Sequence, residues 1–127
     1  MSPLPPYAQA LGLTVDGFDD AAPVLLMPFG EHVMGRPGFL HGGAIAGLLE
    51  MAAISALRRA FSDEERSRIK PINITVDYMR GGRDHETRAV GKVTRLGARI
   101  ANVEAVAWQE DRERPIAAAR MNMLLVR

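Results

Sequence analysis

Residues 38–57 read GFLHGGAIAGLLEMAAISAL, and this stretch decides the fold. It is the least polar run of the chain, and Glu50 is its only acid. Its apolar residues (Ile45, Leu48, Leu49, Met51, Ala52, Ile54, Leu57) point in nearly every direction around a helix. A helix that is apolar all round is buried on most of its sides. The sequence therefore predicts a long central helix beginning near residues 40–43 and running to about Ala60, with Arg58 and Arg59 set against the negative end of its dipole. A carboxylate in such a helix is expensive to bury without a purpose or a partner. Nine residues before Glu50 stands His41, followed at once by Gly42 and Gly43. A glycine turn opening a helix offers unpaired backbone N–H groups to an anion.

Outward from the helix, the chain reads as strands. Residues 22–27 (APVLLM) form a short apolar strand preceding the helix, and residues 30–38 (GEHVMGRPG) a loop. Tyr7 to Leu11 follow prolines suited to a first helical turn. Residues 62–68 (SDEERSR) read as a solvated turn or helical extension. Beyond them Ile72, Ile74, Val76 and Tyr78 alternate with Asn73, Thr75, Asp77 and Met79, the period of a strand. Further strands are expected over residues 87–95, 99–109 and 116–126, separated by turns at Gly81–Gly82, Leu96–Gly97 and residues 111–114. Ala101, Val103, Ala105 and Ala107 give one strand face of small residues, which a helix can approach closely. Short connections predict antiparallel neighbours, a meander. The fold class is α+β: one domain over residues 1–127, with a long buried helix wrapped by a curved antiparallel sheet of five to six strands.

Composition narrows the function classes. The chain is 47% apolar and 24% charged with a net charge of +1, which gives no general attraction to nucleic acid or an acidic membrane. It has no cysteine, so thiolate nucleophiles and Cys-ligated zinc are excluded, and a reducing cytoplasm suits it. The first Lys or Arg is Arg36, which makes the N-terminal stretch a poor signal peptide. The central run approaches a membrane span in length, but it carries His41, Glu50 and four glycines between hydrophilic flanks, so no membrane association is expected. His32, His41 and His85 lack metal-ligand spacing, and neither a G-x-S-x-G elbow nor a phosphate or dinucleotide loop occurs.

The element order, with F-L-H-G-G opening the helix and an acid nine residues after the histidine, resembles the hotdog-fold acyl-CoA thioesterases. The likeness is greatest to the PaaI-type (phenylacetate-degradation) branch. It rests on Gly38, Phe39, Leu40, His41, Gly42, Gly43, Leu48 and Glu50, with weaker support from ITVDYMR (residues 74–80) and RLGARIA (residues 95–101). The resemblance implies hydrolysis of an acyl-CoA thioester, with coenzyme A entering only as part of the substrate and no further cofactor. It implies that the N–H of Gly42 polarises the thioester carbonyl and that Glu50 is nucleophile or general base. It also implies dimers, often paired into tetramers. The position where the family usually carries Asn or Gln falls on Gly35, and a Thr or Ser position one turn after the acid falls on Ile54. A non-catalytic acyl-CoA-binding protein on the same fold is the alternative.

Geometry adds one independent expectation. Glu50 lies eight residues after Gly42, or roughly 12 Å along a helix axis. One carbonyl cannot reach both in one chain, so a working site needs the two groups from different protomers, and a homodimer is expected. His41 reads as a capping or positioning group. Gly43, Phe39, Ile54, Arg80, Arg95 and Arg99 are candidate substrate contacts, the arginines (with Arg36 and Arg83) as partners for phosphates. The bland alternatives stay open: Glu50 as a structural carboxylate paired across a dimer, and Gly42 and Gly43 as residues that merely permit close packing.

Overall fold

The computed structural model of the chain describes residues 4–61 and 68–126. A short helix α1 (Pro6–Ala10) leads into strands β1 (Thr14–Asp19) and β2 (Ala22–Met27). A 3-10 turn (Glu31–Val33) precedes the long helix α2 (Gly42–Arg59), followed by β3 (Arg68–Tyr78), β4 (Thr87–Leu96), β5 (Ile100–Trp108) and β6 (Ala117–Val126). All six strands join one antiparallel sheet in the order β1-β2-β4-β5-β6-β3. The long helix packed on this sheet is the hotdog arrangement expected above. The reading of residues 62–68 lies, except for Arg68, outside the described residues.

Why α2 lies where it does follows from side-chain size. Ala101, Val103, Ala105 and Ala107 of β5 and Ala117, Ala119, Met121 and Met123 of β6 all face the buried layer. Leu48, Leu49 and Leu57 of the helix fill it from the other side and are fully buried. Gly91 of β4 permits the closest approach: a Cβ there would sit 2.6 Å from the Ala52 carbonyl oxygen and 2.8 Å from the Ala53 Cα. The opposite sheet face is mixed: Val24, Val90 and Trp108 form a small apolar cluster, while Asn102, Asn122 and Asn73 are hydrogen-bonded in a row across three strands.

Two expectations need correction. The sequence pattern assigns no strand to β1, whose TVDGFD has two acids, a glycine and an irregular register between Val15 and Phe18. Pairing with β2 and the Arg88–Asp16 ion pair at 2.6 Å tie it down instead. That carboxylate also raises the Arg88 guanidinium above its ordinary range. Nor do the last four strands form a simple meander. β3 pairs with β6 rather than with β4, because the connection over residues 79–86 is long enough to cross the end of the sheet. β3 also starts at Arg68, earlier than its alternating core suggests, and tolerates Pro71 because it is an edge strand with a register shift there.

Candidate active site

The first turn of α2 is built by three chain segments. His41 is the N-cap, in extended backbone conformation, and its Nδ1 accepts from the Gly43 N–H at 2.8 Å. The preceding residues are clamped: Leu40 N–H donates to the Gly82 carbonyl at 2.9 Å and His41 N–H to the Val33 carbonyl at 2.8 Å. From the edge strand β3, the Tyr78 hydroxyl donates to the Gly42 carbonyl at 2.9 Å. The peptide between Gly42 and Gly43 is thus held at both ends, its oxygen by Tyr78 and its N–H by His41. The Gly42 N–H meets no acceptor among the described residues and lies in an exposed position. It is a fixed, unpaired donor at the positive end of an 18-residue helix.

Helical spacing aligns Gly42, Ala46, Glu50, Ile54 and Arg58, each four residues apart. Every one of them is half-buried or exposed, and apart from Gly43, Ser55 and Arg59 the remaining residues of α2 are buried. This stripe is the face of the helix the sheet leaves uncovered. The helix is thus buried on most of its sides, as its apolar pattern predicts, and open along this one. Glu50 is half-buried, with no ion-pair partner among the described residues, so its carboxylate remains accessible to water.

The other candidate residues divide by position. Gly43 follows Gly42 directly and Phe39 stands three residues before it, Ile54 lies one turn beyond Glu50, and Arg80 sits just past Tyr78 with its N–H on the Ile116 carbonyl at 3.1 Å. Arg95, near the end of β4, and Arg99, in the β4–β5 turn, lie at the opposite end of the sheet. From Ala107, beside the Tyr78 end, to Ile100 is seven steps along the strand, or roughly 23 Å. Neither of these two arginines shares an end with Gly42 of its own chain. Tyr78, read from the sequence only as a strand residue, is brought to the candidate site by its hydrogen bond to Gly42; its alternation signalled a face, not that the face ended at the helix N-terminus.

A cavity of about 760 Å³ opens elsewhere, between the β1–β2 turn and β4, and is lined by Asp19, Arg59, Lys92, Glu104 and Arg120 among others. It touches neither Gly42 nor Glu50. The stripe on α2 is open in a single chain, so it forms no enclosed pocket of its own. Among the described residues no group of acids and histidines is arranged to hold a metal ion, and no helix is long and apolar enough to cross a membrane.

Residues 37–116, a span that contains the whole of α2 and its capping turn, match the family model described as the thioesterase superfamily. The chain belongs to this superfamily. A curated relative, the medium/long-chain acyl-CoA thioesterase YigI of Salmonella typhimurium, is 29% identical over 119 residues, covering 84% of this chain and 77% of that protein. A solved structure from Chromobacterium violaceum is 31% identical, with a TM-score of 0.75 over 95% of this chain and 83% of the other. A phenylacetic acid degradation-related protein from Ralstonia eutropha JMP134 shares the fold, with a TM-score of 0.83 at 18% identity, covering 97% and 92% of the two chains. The superfamily's single helix on an antiparallel sheet is the architecture found here.

Proposed function

We propose that this protein hydrolyses an acyl-CoA thioester at two equivalent sites of a homodimer. Each site takes the Gly42 N–H from one protomer and the Glu50 carboxylate from the other. The observation that carries this reading is the braced turn. Tyr78 and His41 hold the 42–43 peptide, and exposed Gly42, its N–H unpaired among the described residues, begins the same uncovered stripe that carries Glu50. Attack on the thioester carbonyl creates an oxyanion, and a fixed amide donor stabilises it by about 3–4 kcal/mol. Glu50 either deprotonates the attacking water or attacks the carbonyl itself to give an anhydride that water then opens. In both routes the coenzyme A thiolate leaves and takes up a proton.

The roughly 12 Å rise between Gly42 and Glu50 requires two chains. Two stripes running antiparallel would set each acid opposite the other chain's amide, and would close the open face seen in one chain. The exposed edge of β3, which carries Ile72, Ile74 and Tyr78 at its surface, is suited to pair with its own copy. The same arrangement would carry Arg95 and Arg99 of one chain toward the active end of the other.

Free-thiol release over acyl-CoA substrates of increasing length tests the reading; the substrate class of the Salmonella relative makes medium and long chains the first panel. Glu50→Gln is expected to lose at least about 100-fold in kcat while remaining a dimer. Full turnover in that variant would remove Glu50 from the mechanism.

One observation favours the alternative, an acyl-CoA-binding protein without turnover. A Cβ at Gly35 would stand 3.2 Å from the His41 Cα, so this turn leaves little room for a side-chain amide beside the carbonyl site. Tight acyl-CoA binding with no thiol release by the unaltered protein would select it.

A further inference from the structure

Phe39, three residues before Gly42, carries two cations on one ring. The Arg36 guanidinium carbon lies 4.0 Å from its centroid and that of Arg83 lies 4.3 Å away. The backbone fixes all three residues. Phe39 N–H donates to the Arg36 carbonyl at 3.0 Å, closing a turn, and Phe39 bridges to Arg83 in antiparallel fashion. Gln109 then grips Arg83 from β5's end: its Oε1 accepts from the Arg83 N–H and its Nε2 donates to the Arg83 carbonyl, both at 3.0 Å.

Elsewhere a ring-stacked arginine has its charge or its donors engaged. Arg112 lies over Trp108 and is paired with Asp19, while Arg59 lies over Phe18 and donates to the Ala21 carbonyl. Arg36 and Arg83 have no carboxylate partner among the described residues; even Asp84, next to Arg83 in the chain, pairs with neither. Two like charges gathered on a single ring repel one another, and stacking offsets only part of that cost. An anion between or beside them removes the repulsion, and guanidinium forks match phosphate oxygens in geometry.

We infer that Arg36 and Arg83, stacked on Phe39, form a binding site for the phosphate groups in the nucleotide part of a coenzyme A thioester. This deepens the acyl-CoA reading above and rests on it for the identity of the ligand. The site is at the same helix end as Gly42, no more than about 10 Å of chain away. A pantetheine arm can span that separation, so one molecule would place its thioester on the Gly42 amide and its phosphates on the clamp. Phe39 therefore acts as the platform that orders both arginines, and Gln109 as a positioning residue for one of them.

The test compares the unaltered full chain with Arg36→Gln/Arg83→Gln. All three clamp side chains lie at the surface or partly exposed, so the double variant should keep its melting temperature. Calorimetric titration with coenzyme A and with 3′,5′-adenosine diphosphate should show affinity falling at least 10-fold in the variant, with most of the salt dependence lost. For an acyl-CoA substrate KM should rise by a similar factor at unchanged kcat. With the corresponding acyl-pantetheine thioester, which lacks the nucleotide, the two proteins should behave alike. Equal coenzyme A affinity in both proteins, or no binding of either nucleotide by the unaltered chain, overturns the clamp. Clamp-dependent binding without any thioester turnover would leave the clamp standing and remove the hydrolase reading. Turnover with an unshifted KM would do the reverse.

Discussion

In the proposed mechanism Gly42 is the residue at which a single atom decides the chemistry. It occupies the first position of α2, where proline is well tolerated because that N–H has no helical partner in any case. His41 before it is already in the extended conformation that proline demands of its neighbour. A Cβ there would meet the Tyr78 hydroxyl at 3.5 Å, an ordinary contact. Gly42→Pro should therefore fold with a melting temperature close to the parent's, yet lose on the order of 100-fold or more in kcat by deleting the proposed oxyanion donor. Gly42→Ala, which retains the N–H, should keep most of its activity; parallel assays of the two separate the donor's loss from a packing effect. Tyr78→Phe removes only one brace from the 42–43 peptide and should reduce kcat by a smaller factor with KM nearly unchanged. The glycine, the histidine and the acid were legible in the sequence because their spacing from one another is local. Tyr78 was not, because it comes 36 residues later and reaches Gly42 only through the crossing of β3 to the sheet edge.

Elements succeed or fail here according to how much of their stabilisation is local. The apolar run of α2, the small face of β5 and the alternation of β6 each announce burial, and each element appears close to its expected bounds. β1 announces nothing, since its partners lie in β2 and β4 and Asp16, Gly17 and Asp19 break any apolar alternation around Val15 and Phe18. The strand order was equally hidden, because a loop of eight residues can turn back or cross over and its composition does not distinguish the two. That loop has its own support. The Gln109 amide also donates to the His85 carbonyl and to the buried Thr87 hydroxyl. Gln109→Ala should destabilise by about 1–3 kcal/mol, since it strips partners from a buried hydroxyl and from the Arg83 peptide, and chemical denaturation would measure it. At the contact of helix and sheet, Gly91→Val should cost more than Gly91→Ala. Both force α2 off the sheet, and overpacking of this kind costs about 1–3 kcal/mol, visible as a lowered thermal midpoint.

The whole molecule, taken as one chain, leaves two surfaces unsatisfied: the uncovered stripe of α2 and the long edge of β3. Ile72 and Tyr78 are more than half exposed there, and Ile74 is 37% exposed. Solvated edge strands seldom carry such residues without a partner. Ile74→Lys should drive the protein toward a monomer in analytical ultracentrifugation, and activity should fall in step with the dimer fraction. An undiminished dimer would exclude this edge as the contact. If the acid and amide of each centre do come from different polypeptides, damage to them is not equivalent within a mixed population. A chain lacking only its carboxylate still offers an intact amide, and a chain carrying Gly42→Pro still offers an intact carboxylate. Refolded together in equal amounts, two inert preparations should regain roughly a quarter of the parental rate, because half of the random pairs contain one whole centre out of two. A protein whose chemistry lay within each chain would gain nothing from the mixture.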